Sequence, residues 1–376
     1  MDCAPTRPGA RLGMRSAFGF GITFAVLALM PASALATRYV TETGSSGNNC
    51  QSIATGCDLK TAIQGNGGNV PVAGEEVIVE PGTHSIGSSD IVEGIPNLNI
   101  HGVTGQPLPV VHQTDPNAQL KFSGGTLSYL DFEGGATNIV NMSGGLMDRV
   151  LMRAASDGNF ACQCPGGLIR NSVFISTGVT AALGVTSNGG TSTLELRNVT
   201  AIATNPSAFA LAAVHQTMMG SVTYNAYNVI ARNTGGGTDV AALDTNSTIT
   251  FHHSNYSTQM TTGNSLVQDA PGDPHQSASP LFTNAMADDF SEATGSPTIG
   301  TGLTDPLNGP LDFAGNPRSV GGLTDIGAYQ VPPPPPPPGT ASGPTGQRAA
   351  ALKKCKKKRS KAKRRKCRKR AKRIPV

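Results

Sequence analysis

The sequence contains no tryptophan, and aromatic residues make up only 5% of its 376 residues. Helical and doubly wound enzyme cores usually contain more aromatic side chains, so the composition argues against both classes. Glycine and proline are abundant, at 46 and 27 residues. Because both residue types favour turns, the composition indicates many short strands with frequent turns between them.

Acidic residues are absent from the C-terminal end. From Arg348 onward there are 17 Lys and Arg residues and no Asp or Glu, whereas residues 37–347 carry 9 basic and 23 acidic residues, a balance of −14. A polyanion would be attracted by this tail and repelled by the body of the chain. The asymmetry argues against a nucleic-acid-binding fold and favours a tethered basic arm.

After the first 36 residues, no apolar run is long enough to span a bilayer. Before that point, three arginines precede the apolar stretch AFGFGITFAVLALM, and PASALA then supplies small residues for cleavage. This pattern predicts a signal peptide over residues 1–36, with translation starting at Met1 or Met14 and the mature chain at Thr37. A transmembrane anchor is the competing interpretation. We expect a secreted, extracellular protein that is associated with the cell surface.

Cysteine is sparse, and Cys3 lies within the expected signal peptide. The six others permit 15 connectivities, of which local pairing is the simplest in an oxidising compartment. The predicted disulfide residues are Cys50 with Cys57, Cys162 with Cys164, and Cys355 with Cys367. Two neighbouring thiolates would leave a zinc site half built, so we expect no metal and no cofactor.

The middle of the chain repeats short aliphatic strands, each beside an asparagine: GLIRNSVFIS, STLELRNVTAIA, YNAYNVIAR and FHHSNYST. They place Asn171, Asn198, Asn228 and Asn255 at intervals of 27, 30 and 27 residues. Repeats of this length, with alternating apolar residues, predict a solenoid of stacked β-coils. Asparagine tolerates a left-handed turn, and its amide can bond to the asparagine one coil on, as a structural ladder. An Asn-rich loop in a β-sandwich is the alternative.

Two regions carry a family resemblance. CDLKTAIQ and EEVIVEPGTHSI resemble the capping helix and first coil of secreted right-handed parallel β-helix proteins of the pectin-lyase-like superfamily, with His84 in place of an aromatic residue. SPLFTNAMADDF, GSPTIGTGLTD and DFAGNPRSVGGLTDIGAYQ resemble the choice-of-anchor Q region of bacterial surface β-helix proteins. The resemblance implies an all-β fold: a right-handed parallel β-helix over residues 37–278 with a short N-terminal capping helix, and choice-of-anchor Q-like C-terminal coils over residues 279–330.

The last two segments are predicted to be disordered. A run of seven prolines indicates a Pro/Gly-rich linker over residues 331–347. A Lys/Arg-rich tail over residues 348–376 follows, in which like charges oppose an isolated helix. The predicted polyanion-binding residues are Lys353, Lys354, Lys356, Lys357, Lys358, Arg359, Lys361, Lys363, Arg364, Arg365, Lys366, Arg368, Lys369 and Arg370.

Several anionic partners fit this tail. Wall glycopolymers, phospholipid headgroups and extracellular DNA all carry the required charge, and an inert solubilising tail is a further alternative. Nucleic acid is the weaker interpretation, because the tail has no aromatic residues on which bases could stack. We therefore expect an anionic polymer of the cell envelope.

No catalytic motif of a serine hydrolase, metalloprotease, phosphate-binding loop or polygalacturonase is present. Aligning the coils on the four asparagines predicts two inward rows, one of Leu194, Tyr224 and Phe251, the other of Leu196, Ala226 and His253. The outward residues form a candidate ligand face, with Glu195, Asn225 and His252 in one row and Arg197 and Tyr227 beside them. Such a face can bind a glycan or cleave it by acid–base chemistry, but an ordinary solvated sheet face looks the same.

Together these patterns predict an exported, cell-surface or wall-associated β-helix protein. Its expected role is non-catalytic display, adhesion or glycan binding, with the basic tail as an electrostatic attachment. The alternative is a polysaccharide lyase or glycoside hydrolase acting on an acidic polysaccharide. The sequence leaves the question of catalysis open.

Overall fold

The structure is a computed structural model that describes residues 36–93, 95–135, 138–155, 160–187, 190–215, 219–332 and 346–373. The predicted signal peptide and most of the predicted linker therefore lie outside the described residues.

Short strands dominate the described chain. The first thirteen are β1 (Thr37–Val40), β2 (Glu76–Val79), β3 (Thr83–Ile86), β4 (Ile91–Val92), β5 (Asn99–Gly102), β6 (Val110–Gln113), β7 (Leu120–Phe122), β8 (Thr126–Ser128), β9 (Asp131–Gly134), β10 (Val140–Met142), β11 (Leu146–Asp148), β12 (Leu151–Ala154) and β13 (Cys162–Gln163). The others are β14 (Gly166–Arg170), β15 (Val173–Ser176), β16 (Leu183–Ser187), β17 (Thr191–Arg197), β18 (Thr200–Ala203), β19 (Phe209–His215), β20 (Ser221–Tyr227), β21 (Ile230–Asn233), β22 (Thr238–Asp244), β23 (Ser247–His252), β24 (Gln259–Thr261), β25 (Leu266–Asp269), β26 (Phe282–Asn284) and β27 (Asp289–Glu292). The α-helices found there are α1 (Leu59–Gln64), α2 (Gly346–Lys356) and α3 (Lys361–Ala371).

The strands up to β25 form three parallel sheets. Sheet A has the order β1-β2-β5-β8-β11-β14-β17-β20-β23-β25, sheet B the order β3-β6-β9-β12-β15-β18-β21, and sheet C the order β4-β7-β10-β13-β16-β19-β22-β24. Each strand pairs in parallel with its counterpart one coil on. The chain is thus a right-handed parallel β-helix, which confirms the predicted fold class.

Alternate residues of each strand point into the solenoid and form one continuous core. In β17, Leu194 and Leu196 are fully buried, and their neighbours one coil on, Tyr224 and Ala226, are buried as well. An isolated coil would expose its apolar side chains to water. Stacking of successive coils at about 4.8 Å buries these side chains, and this burial stabilises the sheets.

Helix α1 closes the N-terminal end of this core. Asp58 caps its N-terminus, and the Asp58 carboxylate accepts a hydrogen bond from the Thr61 N–H at 2.7 Å. Its apolar side chains Leu59, Ala62 and Ile63 are buried against the first coils. His84 is buried where the resemblance implies an aromatic residue, and its Nε2 lies 2.7 Å from the Glu80 carbonyl oxygen.

One left-handed residue links successive strands of sheets A and B. These corner residues are Tyr129, Arg149, Asn171, Asn198, Asn228 and His253, with φ between 45° and 55°. Asn171, Asn198 and Asn228 thus occupy the predicted corners, whereas Asn255 does not. The coil from Asn228 to the next corner has 25 residues, so His253 takes the corner and Asn255 instead forms a bridge with Ile230.

Residues 279–330, here called the flank segment, do not extend the stack as further coils. They form the antiparallel pair β26–β27 and a series of turns. The segment packs on the outer face of sheet B, where Val173, Ile175 and Ile202 meet Phe290 and Ala328 in a second apolar cluster. The segment thus covers the apolar outer face of sheet B instead of adding the expected C-terminal coils.

The basic tail also differs from the expected disorder. Helices α2 and α3 form a pair, here called the basic hairpin (residues 346–373), which the Cys355–Cys367 disulfide joins. Alanine, lysine and arginine have high helix propensity, and the covalent link holds together helices whose charges repel. The other four cysteines of the described residues form the disulfides Cys50–Cys57 and Cys162–Cys164. No helix in the described ranges is long and apolar enough to cross a membrane.

Candidate functional site

The outward face of sheet A contains the predicted ligand residues, but in a shifted register. Glu195 pairs with Asn225, and Arg197 pairs with Tyr227, as expected. His252 pairs with Tyr227, so its predicted place in the row of Glu195 and Asn225 is wrong. Thr250 occupies that row instead. The cause is the short 25-residue coil, which moves β23 by two residues relative to an alignment on Asn255.

The same shift changes the inward rows. Ile249 stacks on Tyr224, and Phe251 stacks on Ala226. His253, predicted to be buried, lies at the corner with 38% of its side chain exposed. Continuing the alternation of apolar residues along β23 would have given this register from sequence, because Ile249 and Phe251 are its apolar residues.

The corrected register creates a column of planar groups. The Arg197 guanidinium carbon lies 4.2 Å from the Tyr227 ring centroid, and the Tyr227 and His252 ring centroids are 4.2 Å apart with only 12° between their planes. Successive strands of a parallel sheet place equivalent side chains about 4.8 Å apart, which suits stacking of flat groups. The column is therefore a direct result of the solenoid repeat.

Arg197 is held in place from several sides. Its Nε donates to the Glu195 carboxylate, and a terminal nitrogen lies 3.5 Å from Asp305 Oδ1 and 3.4 Å from Asn308 Oδ1. Only 5% of its side chain is exposed. Arg197 is therefore buried between Glu195 and the flank segment, whereas Glu195, Asn225, Tyr227 and His252 stay partly exposed.

Asp273 contacts His252, the last residue of this column, and also the neighbouring His253. His252 Nδ1 lies 3.3 Å from Asp273 Oδ2, and His253 Nδ1 lies 2.8 Å from Asp273 Oδ1. A carboxylate that orients an imidazole is an arrangement that can support general base chemistry. Glu195 lies two strands and two residues away from His252, about 12 Å at the usual strand spacing and rise, and is already hydrogen-bonded to Arg197. Among the described residues no group of three His, Cys, Asp or Glu is arranged to hold a metal ion.

The corner asparagines bind the flank segment. Asn228 makes two hydrogen bonds to one residue: its Nδ2 donates to the Leu303 carbonyl at 2.9 Å, and its Oδ1 accepts from the Leu303 N–H at 2.6 Å. Asn198 Nδ2 donates to the Asp325 carbonyl at 3.1 Å, and Asn171 Nδ2 to the Asn308 carbonyl at 2.8 Å.

The expected bonding between asparagines is minor by comparison. Asn228 Nδ2 lies 3.5 Å from Asn198 Oδ1, at the limit of a hydrogen bond. The amides therefore act mainly as a docking strip for the flank segment.

Charged groups inside the flank segment hold it together. Arg318, of the quoted GNPR motif, donates to the carbonyls of Asp325 and Gly327, of the DIGAY motif. Burial lowers the pKa of Arg318 to about 10. Burial, together with the nearby Asp325 carboxylate, raises the pKa of Glu292 to about 8. The two motifs thus have a structural role in this chain.

The basic hairpin displays its charge outward. Cys355 and Ala371 are buried between the helices, while all fourteen predicted cations are exposed. Within the described chain no ion pair involves any of them. One shallow groove combines Lys358 with residues of α3, and a second lies along another side of α3. Both are lined almost entirely by Lys and Arg.

Comparison with known proteins gives no family. No family model matches the sequence, and no curated protein matches it. Among solved structures, the chain is similar to a crystal structure of pectate lyase Pel9A, at 14% identity and a TM-score of 0.34, over 78% of this chain and 96% of that chain. A similarity this low carries no argument about activity.

Proposed function

We propose that this is an exported β-helix protein displayed at the cell surface, where its basic hairpin attaches it to an anionic polymer of the cell envelope. The observation that carries the proposal is the basic hairpin itself. Its fourteen cations are exposed, and the sequence from Arg348 onward offers no acidic residue to neutralise them.

The energetics favour a polyanion as the partner. A linear polyanion holds condensed counterions, and their release when Lys and Arg neutralise its charges drives association without sequence specificity. The remainder of the mature chain is acidic and would not compete for the same partner. The resemblance of the flank segment to choice-of-anchor Q regions agrees with display at a surface.

For the β-helix we propose display or glycan binding without catalysis. Two of the five predicted ligand residues, Glu195 and Arg197, are hydrogen-bonded to each other. Asn225, Tyr227 and His252 stay partly exposed, and a tyrosine ring beside polar groups is a suitable contact for a sugar.

Deletion of every residue after Gln330 tests the attachment. We expect the truncated protein to appear in the medium and the full-length protein to remain on cells until roughly molar salt is added, which screens the charges. A double change of Lys60→Gln and Lys121→Gln, two body lysines, is the matched control and should leave the protein on cells. Retention of the truncated protein on cells would contradict the proposal.

A polysaccharide lyase or glycoside hydrolase acting on acidic polysaccharide is the second candidate. It is favoured by one observation, the His252 and Asp273 pair beside the exposed part of Tyr227. Incubation of the protein with polygalacturonate, followed by assays for unsaturated and reducing ends, separates the two candidates. Turnover that disappears in His252→Ala would establish the enzyme and overturn the non-catalytic proposal.

A further inference from the structure

We infer that the Cys355–Cys367 disulfide is a thiol-exchange site, at which an anionic low-molecular-weight thiol attacks Cys367 and opens the basic hairpin. Such a modification goes beyond the proposed attachment and does not depend on which polymer the hairpin contacts. The exposure of Cys367, the cations around it and the small contact between the two helices support this assignment.

Cys367 differs in its exposure from the other cysteines of the described residues. The four cysteines of the other two disulfides are all 0% exposed: Cys50, Cys57, Cys162 and Cys164. Cys355 is 1% exposed, whereas Cys367 is only partly buried and lines a groove on the hairpin. Thiol–disulfide exchange requires direct attack of a thiolate on a disulfide sulfur. Access therefore favours this bond over the two buried ones, with the attack at Cys367.

The groove that contains Cys367 is cationic. Apart from Cys367, every residue that lines it is a lysine or an arginine: Lys358, Lys363, Lys366, Lys369, Arg370 and Arg373. From Arg348 onward the sequence has no acidic residue to offset these charges. A thiol that also carries a sulfonate or carboxylate is attracted to such a groove, and a thiol that carries an ammonium group is repelled. Nearby cations also stabilise the cysteine thiolate that leaves, which favours cleavage.

The exchange balances in two steps. A thiolate R–S⁻ forms a bond with the Cys367 sulfur while the bond between Cys355 and Cys367 breaks, and its electron pair leaves on Cys355 as a thiolate. A second R–S⁻ then attacks the R–S sulfur of the mixed disulfide, which releases R–S–S–R and leaves Cys367 as a thiolate. Two thiols are thus oxidised to one disulfide, and the protein disulfide is reduced by two electrons. The protons that the two thiols lose are those that the two cysteines take up.

Cleavage of this bond should separate the two helices. The apolar contact between α2 and α3 is small, with Cys355 and Ala371 as its buried residues. Each helix has 11 residues, a length at which an isolated helix is marginal in water, and like charges three and four residues apart weaken it further. Without the covalent link, little opposes the repulsion between the helices. The reduced segment is therefore expected to lose helical structure.

Differential alkylation of the mature full-length chain tests which bond is exchanged. The folded protein is incubated with mercaptoethanesulfonate, trapped with N-ethylmaleimide at intervals and mapped by mass spectrometry, so that the two buried disulfides serve as internal controls. We expect labelling of Cys355 and Cys367 to be at least about tenfold faster than labelling of the other four cysteines. A transient adduct on Cys367 and faster amide hydrogen exchange in residues 346–373 should accompany it. Labelling of a buried disulfide at an equal rate, or unchanged hydrogen exchange after full reduction, would overturn the inference.

The charge of the thiol tests the role of the groove. Mercaptoethanesulfonate is compared with the cationic thiol cysteamine, and each rate is divided by the rate of the same thiol with hydroxyethyl disulfide, an uncharged reference. At about 0.1 M salt the corrected rate of the sulfonate should be at least about fivefold higher, and at about 1 M salt the two rates should agree within about twofold. Equal corrected rates at the lower salt concentration would contradict an anionic thiol as the reactant.

Two variants with equal loss of charge locate the effect. The first removes three cations of the groove that contains Cys367: Lys363→Gln, Lys366→Gln and Arg370→Gln. The second removes three cations that line only the groove on another side of α3: Lys361→Gln, Arg365→Gln and Lys372→Gln. At about 0.1 M salt, where screening acts over about 10 Å, the first variant should bring the two corrected rates within about twofold, and the second should keep the wild-type difference. The same result for both variants would refute the assignment of the reactive groove.

Discussion

At the scale of single residues, the corners show two separate uses of side chains. The left-handed conformation is adopted by tyrosine, arginine and histidine at some corners, so the turn alone does not require asparagine. Asparagine occupies the corners at which an amide also binds the flank segment. Its recurrence thus reflects docking as well as turn geometry, and this second use could not be predicted from one coil.

Asn228→Ala tests this double role. The variant loses two hydrogen bonds to Leu303 and places alanine at a φ of 55°, so we expect a loss of about 3 kcal/mol in the free energy of unfolding. Asn228→Gly retains the backbone freedom and should lose less, about 1–2 kcal/mol. Asn225→Ala, outward on the preceding strand β20, serves as the control at under about 0.5 kcal/mol. Urea denaturation measures all three. Equal losses for the alanine and glycine variants would show that the left-handed backbone conformation at residue 228 does not contribute to the loss of stability.

Glu292 should make stability depend on pH. Its pKa in the folded protein, about 8, is above the ordinary value of 4.5, chiefly because of burial. Between these values the unfolded chain releases the proton and the folded chain keeps it, so the free energy of unfolding falls as pH rises. The total loss is on the order of 5 kcal/mol and is complete above about pH 8.

The comparison that isolates this effect is Glu292→Gln, which stays neutral at every pH. Thermal denaturation from pH 4 to pH 9 should show the wild-type protein losing stability relative to the variant across the window. Parallel curves for the two proteins would show that Glu292 does not titrate as described.

At the scale of elements, the sequence patterns identified the bounds of the flank segment but not the surface on which it packs. Its motifs marked residues 279–330 as a unit, yet its contacts reach residues more than 100 positions earlier, such as Asn171 and Thr200. Periodicity carries information about neighbouring coils only. The apolar outward residues Val173, Ile175 and Ile202 were the available signal, since a solvated sheet face would not repeat them.

Phe290→Ala should release this segment without unfolding the solenoid. Phe290 is 2% exposed and packs edge-to-face on Phe282 at 5.2 Å, so its truncation should cost about 3–5 kcal/mol locally. Limited proteolysis should then cleave within residues 279–330 while the far-ultraviolet circular dichroism keeps its strand signal. Met286→Ala, at a fully exposed position of the same segment, should behave like the wild type. Cleavage throughout the β-helix would show that the segment is part of one cooperative unit.

Coil length explains the remaining error of register. The sequence predicted the stacked strands, the capping helix and three corners, because these depend on local alternation and on residues near one another. Asn255 was aligned by residue type, although the coil before it is two residues shorter than the alignment requires. This error of alignment also affected the candidate site, because His252 pairs with Tyr227 and not with Asn225.

At the scale of the whole molecule, the basic hairpin and the β-helix are independent in their polar contacts. No hydrogen bond or ion pair within the described ranges joins residues 346–373 to residues 36–332. We therefore expect the chain truncated after Gln330 to unfold within about 1 °C of the full-length mature protein, as measured by calorimetry at moderate salt. A large drop in midpoint would mean that the tail supports the fold.

The point at which the chain leaves the solenoid bears on the proposed attachment. Asp325 accepts from the corner Asn198 through its carbonyl and from the Val331 N–H through its carboxylate. The exit therefore lies beside β17, the seventh of ten strands in sheet A, and away from either tip. If the basic hairpin attaches the protein as proposed, an exit from the side of the solenoid favours an attachment in which the solenoid lies along its support. The broad sides of the solenoid, more than its capped end, would then meet whatever approaches from outside.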